Sequence, residues 1–172
     1  TQPKYNRTQI KCPIYRAWYS MVERVYSDNW HKKQPTYCSV KICKEWLLFS
    51  NFRKWFIGNY IDSYHLDKDI LSLNNKIYSP ETCIYIPQWL NNFTTNHKSK
   101  RGKYKIGVSF HKYSGRLAAK CSNTKTGKQE HLGLFEDEDQ AHNAWLKRKL
   151  ELAIELKPEM DEIDLRIYPN VI

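Results

Sequence analysis

The chain of 172 residues is 41% hydrophobic and 14% aromatic, enough for packed cores and for one ordinary domain or two small ones, which excludes wholesale disorder. No stretch reaches the roughly 18 apolar residues that a membrane-spanning helix needs, so no membrane partner is expected. The formal net charge of +10 is local: residues 98–128 hold ten Lys or Arg and no Asp or Glu, while the rest of the chain holds eighteen of each sign. A folded surface of that density attracts polyanions, of which duplex DNA or RNA is the usual one. Duplex DNA is the expected partner, with RNA binding by the basic segment left open.

In chain order, Ile14, Trp18, Met21, Val22 and Val25 recur at helical spacing and predict a first helix. Ser27-Asp28-Asn29 breaks it, and a short strand is expected within residues 37–42. A second helix is expected from about Lys44 to Phe56, burying Trp46, Phe49, Phe52 and Phe56 on one stripe, with Gly58 ending it. The five cysteines are odd in number and scattered, which fits free thiols in a reducing compartment. Cys38 and Cys43, with His31 nearby, lack a matching second pair. Buried free thiols are expected there and no zinc.

Residues 63–93 predict strand, turn, strand and a short helix opening near Pro87, followed by a polar, basic linker over residues 94–101. Beyond it, Lys105–Phe110, Arg116–Cys121 and His131–Phe135 read as three strands, joined by turns at Ser114-Gly115 and residues 125–128. Asp137, three residues before Gln140, resembles a capping box and opens a long helix. Its apolar stripe is Ala141, Ala144, Trp145, Leu152 and Leu156, interrupted by Arg148, and Pro158 stops it. Residues 158–172 form a tail without an assigned role.

Side chains alternate across a strand. Ile106, Val108 and Phe110 therefore share one face, and Lys105, Ser109 and His111 the other. In the next strand Leu117, Ala119 and Cys121 alternate with Arg116, Ala118, Lys120 and Ser122. One face is apolar and receives the helix; the opposite face is cationic and suits phosphates and base edges in a DNA groove.

Several fixed spacings here resemble the Apetala-type (ethylene-response-factor) DNA-binding domain: Tyr104 to Val108, Gly115-Arg116, His131 to Phe135, and the Ala141/Ala144/Trp145 helix. The resemblance implies that the exposed sheet enters the major groove, with Lys103, Lys105, Ser109, His111, Lys112, Arg116, Lys120 and Ser122 as contacts. Leu117 stands where that family has an aromatic residue.

Residues 64–92 resemble the ββα-metal core of His-Asn-His (HNH) nucleases, and phage-type homing endonucleases join such a core to an Apetala-type domain. The Lys41–Trp46 segment and Phe49-x-x-Phe52-x-x-Trp55-Phe56 are also similar to that group. The resemblance implies a metal-dependent DNA endonuclease using one divalent cation, Mg2+ or Mn2+, in the cytoplasm of a phage-infected bacterial host. Asp67 falls at a metal-ligand position and Asn91 at the final asparagine or histidine. Lys68 stands where the family has its general-base histidine, and Thr82 at its central asparagine. His65, two residues before Asp67, is a substitute base on the same strand face. The departures at Lys68 and Thr82 leave a second expectation open, a degenerate core in a DNA-binding regulator or inhibitor.

The expected architecture is thus α+β. A helical region with the HNH-like core occupies residues 1–93, with hairpin and helix at 63–93. The linker spans 94–101 and the Apetala-type domain 102–157, a three-stranded antiparallel sheet packed on one helix. A long palindromic target would call for a homodimer.

Overall fold

The fold is α+β. The computed structural model describes residues 12–95 and 102–171, and the chain divides into two units, Thr1–Pro87 and Gln88–Ile172. Most of the expected linker, residues 96–101, lies outside the described residues, as do residues 1–11 and 172. The division falls at Pro87, before the helix that was expected to complete the nuclease-like core.

In the first unit, α1 (Pro13–Tyr26) opens on a proline, whose missing N–H is no loss in a first turn. It buries Met21 and Val25, and Trp18 Nε1 donates to the Trp46 carbonyl at 2.7 Å. The Ser27 hydroxyl caps α2 (Asp28–Lys33) by accepting the Trp30 N–H at 3.3 Å. Where a strand was expected over residues 37–42, a 3-10 turn (Pro35–Ser39) comes first and only β1 (Lys41–Ile42) is extended. Pro35 cannot donate to a ladder, so the chain turns there. That surface turn leaves Cys38 exposed, and Cys43 is half-buried, correcting the expectation that both are buried.

The second helix also starts later than its pattern suggests. Glu45–Leu47 is a 3-10 turn, Leu48 is extended, and α3 runs Phe49–Asn59 with Gly58 inside its last turn. Trp46, Phe52 and Phe56 are buried as expected and Phe49 only half-buried. Trp46 meets Phe52 edge-on at 5.1 Å between ring centres, a favoured aromatic arrangement.

Of the extended stretch expected after Ser63, only β2 (His65–Asp67) forms. It pairs antiparallel with β4 (Ile84–Ile86), Asp67 opposite Ile84. The intervening β3 (Ile77–Tyr78) does not complete a hairpin with β2 but pairs in parallel with β1. Tyr78 is thereby drawn into the aromatic core beside Val25, Ile42 and Trp46.

The second unit begins with α4 (Gln88–Thr94) and continues into an antiparallel sheet of β5 (Val108–His111), β6 (Arg116–Asn123) and β7 (Lys128–Phe135), in that order. The long helix α5 (Glu138–Glu155) packs on this sheet. Asp137 caps α5 as expected, one carboxylate oxygen accepting the N–H groups of Asp139 at 2.9 Å and Gln140 at 3.0 Å. Pro158 ends α5 only to begin α6 (Lys157–Ile163), where it occupies the first turn. Met160 and Ile167 are fully buried, so the expected tail forms part of this core.

Candidate nucleic-acid interface and the β2–β4 hairpin

Register fixes which side chains share the sheet faces. Opposite residues of an antiparallel pair point the same way. Phe110, Leu117 and Phe135 lie on one face, as do Val108, Ala119 and Gly133. Cys121 and Glu130 share it too, and Glu130 meets Arg148 of α5, so this is the face under the helix.

The opposite face carries Ser109 and His111 from β5, Arg116, Ala118, Lys120 and Ser122 from β6, and Gln129, His131 and Leu134 from β7. Ser109, Arg116, Lys120, Ser122 and His131 are exposed on it. His131 was not among the expected contacts. A bulge between Ala119 and Lys120 shifts the pairing, so that Ala119 faces Gly133 but Lys120 faces His131. An unbroken ladder would have set Leu132 there. The bulge needs a backbone bend at Gly133, whose φ of +133° glycine adopts readily.

The expected contacts are not equally free. Lys120 has no side-chain partner among the described residues and projects from the middle of the central strand. Arg116 is held 2.8 Å from Glu136. His111 shares a hydrogen bond with Ser114 at 2.8 Å. Lys103 lies over the Tyr104 ring, 5.0 Å from its centre, before β5 begins, and Lys112 is exposed in the β5–β6 turn.

Lys105 departs from its expected place. Residues 102–107 form turns rather than strand, so Lys105 is not on the sheet face. Its ammonium pairs with Asp139 and its backbone N–H donates to Glu138 at 2.5 Å, both in the first turn of α5. The ammonium holds the Asp139 carboxyl below its ordinary range. Its charge complements the acidic helix start rather than a ligand.

In the first unit, strand alternation puts His65 and Asp67 on one face of β2, as expected, with Leu66 directed to the core. Asp67 Oδ1 accepts the N–H groups of Asp69 and Ile70, both at 2.8 Å, and so caps the turn that leaves β2. Burial raises the Asp67 carboxyl above its ordinary value, and these N–H groups only partly oppose that.

Lys68 points inward. It is buried, its ammonium 2.5 Å from Asp69 Oδ1 and 5.8 Å from the ring centres of both Tyr37 and Tyr78. A charged ammonium bonded to a carboxylate and facing two aromatic rings is paired as a structural cation. The Thr82 hydroxyl donates to the Ile77 carbonyl at 2.9 Å and accepts the Ser79 N–H at 3.2 Å, bracing the turn before β4.

In sequence, Asn75 reads only as a turn residue. Its amide donates to the carbonyls of Lys68 at 2.6 Å and Ile77 at 2.7 Å, and its oxygen accepts the Ile77 N–H at 3.0 Å. One side chain thus closes the loop between β2 and β3. The Asn74-Asn75 pair was the available signal, because asparagine both tolerates the left-handed φ of +60° at Asn74 and bridges backbone groups.

The expected metal ligands, Asp67 and Asn91, belong to different units, Asn91 standing on α4. Among the described residues no three His, Cys, Asp or Glu side chains cluster. Asp67 offers one carboxylate whose Oδ1 already accepts two backbone N–H groups, a sparse donor set for a hard divalent cation, which takes several oxygen ligands. No helix among the described residues is long and apolar enough to cross a membrane. In comparisons with known proteins, no family model, no curated protein and no solved structure matches the chain.

Proposed function

We propose that this chain is a DNA-binding protein whose second unit holds duplex DNA on the open face of its three-stranded sheet, and whose first unit carries a non-catalytic HNH-like hairpin. The observation that carries this reading is the shared face of Lys120, His131, Arg116 and His111, opposite the face that packs on α5. Basic and hydrogen-bonding side chains arrayed on an exposed sheet suit phosphate contacts along a groove. The inward turn of Lys68 and the bracing role of Thr82 favour the scaffold reading of the hairpin.

The test is a salt titration of duplex binding. Affinity should fall linearly on logarithmic axes, with a slope of about 0.9 for each phosphate that the protein neutralises. Lys120→Glu should weaken binding strongly and flatten the slope, Lys105→Ala should leave both nearly unchanged, and Asp67→Ala should retain binding. A protein that binds no duplex overturns the proposal.

A second reading, a metal-dependent endonuclease, is favoured by one observation: β2 pairs antiparallel with β4, and α4 follows β4 in sequence. This strand–strand–helix order is like that of the core, though with β3 inserted between the strands, and Asp67 ends β2. Nicking or cutting of duplex DNA with Mg2+ or Mn2+, abolished by Asp67→Ala, would replace the scaffold reading with this one.

A further inference from the structure

We propose that Tyr113 stacks on an unpaired base, so that the preferred ligand of the second unit is duplex DNA carrying an extrahelical base. The inference rests on the reading of the open sheet face as a DNA interface and deepens it by naming the ligand class. Tyr113 is 98% exposed at the tip of the β5–β6 hairpin, the most exposed of the large hydrophobic side chains described.

The turn displays this ring without using it. His111 pairs with Arg116 as the last rung of the ladder, and the Gly115 N–H donates to the His111 carbonyl at 3.1 Å. Gly115 adopts φ +69°, the left-handed conformation that such a turn requires. The Ser114 hydroxyl binds His111 Nδ1 at 2.8 Å and accepts the Arg116 N–H at 3.4 Å. The Tyr113 ring stands 6.0 Å from the His111 ring at 59°, tilted away from stacking on it.

Charge around the tip matches a nucleic acid. Lys112 adjoins Tyr113 and is exposed, and Arg116 and Lys120 continue the cationic face along β6. A fully paired duplex offers its base edges in the grooves and hides the base faces inside the stack. An exposed tyrosine ring beside Lys112 on this cationic unit gains stacking where a base presents its face outside the stack, as an extrahelical base does. The duplex on either side supplies phosphates for Lys112 and Lys120.

The experiment compares the full chain, by fluorescence anisotropy at one salt concentration, on a paired duplex and on the same duplex with one extrahelical adenine. Wild type should bind the second duplex roughly tenfold more tightly. Tyr113→Ala should remove that preference and leave paired-duplex affinity unchanged, while Tyr113→Phe should keep it, since the ring and not the hydroxyl stacks. Equal affinity of wild type for the two duplexes, or a preference that survives Tyr113→Ala, overturns the inference alone. Absence of binding to both duplexes overturns it together with the DNA-binding reading.

Discussion

Arg148 of α5 and Glu130 of β7 are joined by two hydrogen bonds, Nε to Oε2 at 2.7 Å and Nη2 to Oε1 at 3.2 Å. Asn123 of β6 adds a third to Glu130 Oε1 at 2.7 Å, and Arg148 Nη1 reaches Glu151 and Glu155. The charged residue that interrupts the apolar stripe of α5 thus ties the helix to the sheet. Bidentate guanidinium–carboxylate geometry fixes both distance and orientation.

This pair predicts an acid-sensitive second unit. Arg148, then Asn123, hold the Glu130 carboxyl at about 2, against an ordinary value of 4.5. A depressed carboxylate contributes its full stability above the unfolded value and loses it as pH falls through the window between 4.5 and about 2. In thermal melts across that window, wild type should lose stability more steeply than Glu130→Gln. Parallel curves would show that the pair is not coupled to folding.

Gly107 predicts a packing failure. Its φ is +81°, and a Cβ at this position would overlap the Trp145 indole at Cγ and Cδ1. Gly107→Ala should destabilise the second unit by about 3 kcal/mol, through overpacking against the indole and left-handed strain. A denaturation series on this single substitution should show a lowered midpoint at constant slope. A neutral outcome would mean that Trp145 can leave its site without cost.

Lys149 predicts a pH response of the same direction as Glu130, stability rising with pH, but in the alkaline range. Its ammonium donates to the Phe93 carbonyl at 2.6 Å, in the last turn of α4, and lies 3.2 Å from the centre of the Phe93 ring. Burial lowers it from 10.5 to about 8. A lysine with a depressed native value costs stability in full below about 8, and that cost fades as pH rises toward 10.5. The difference in denaturation midpoint between Lys149→Met and wild type should therefore shift toward wild type between pH of about 7 and about 9.5. A difference independent of pH would contradict it.

Asn75 predicts a local effect in the first unit. Its three backbone hydrogen bonds close the loop after Lys68. Asn75→Ala should cost about 2 kcal/mol and increase amide exchange between β2 and β3, because carbonyls and an N–H lose their partners. Unchanged exchange in that loop would assign its closure to the Lys68–Asp69 pair instead.

Local signals settled much of this protein from sequence alone. The spacing of Trp18, Met21 and Val25 marks α1, Asp137 with Gln140 starts α5, and Ser114-Gly115 turns β5 into β6. The alternation from Arg116 to Ser122 already separates a cationic from an apolar face. Each depends on residues within a few positions of one another, so the pattern is written where it acts.

Tertiary structure decided the rest. Whether β3 pairs with β2 or with β1 depends on which core admits Tyr78, and the core around Trp46 does. Lys105 and Lys120 are alike in sequence, yet the start of α5 claims the first and leaves the second on the open face. The bulge beside Lys120 brings His131 to that face, and Lys68 turns inward onto Tyr37 and Tyr78. In each case the deciding partner is distant in the chain, and the side chain goes where burial and charge are jointly satisfied, which no local periodicity encodes.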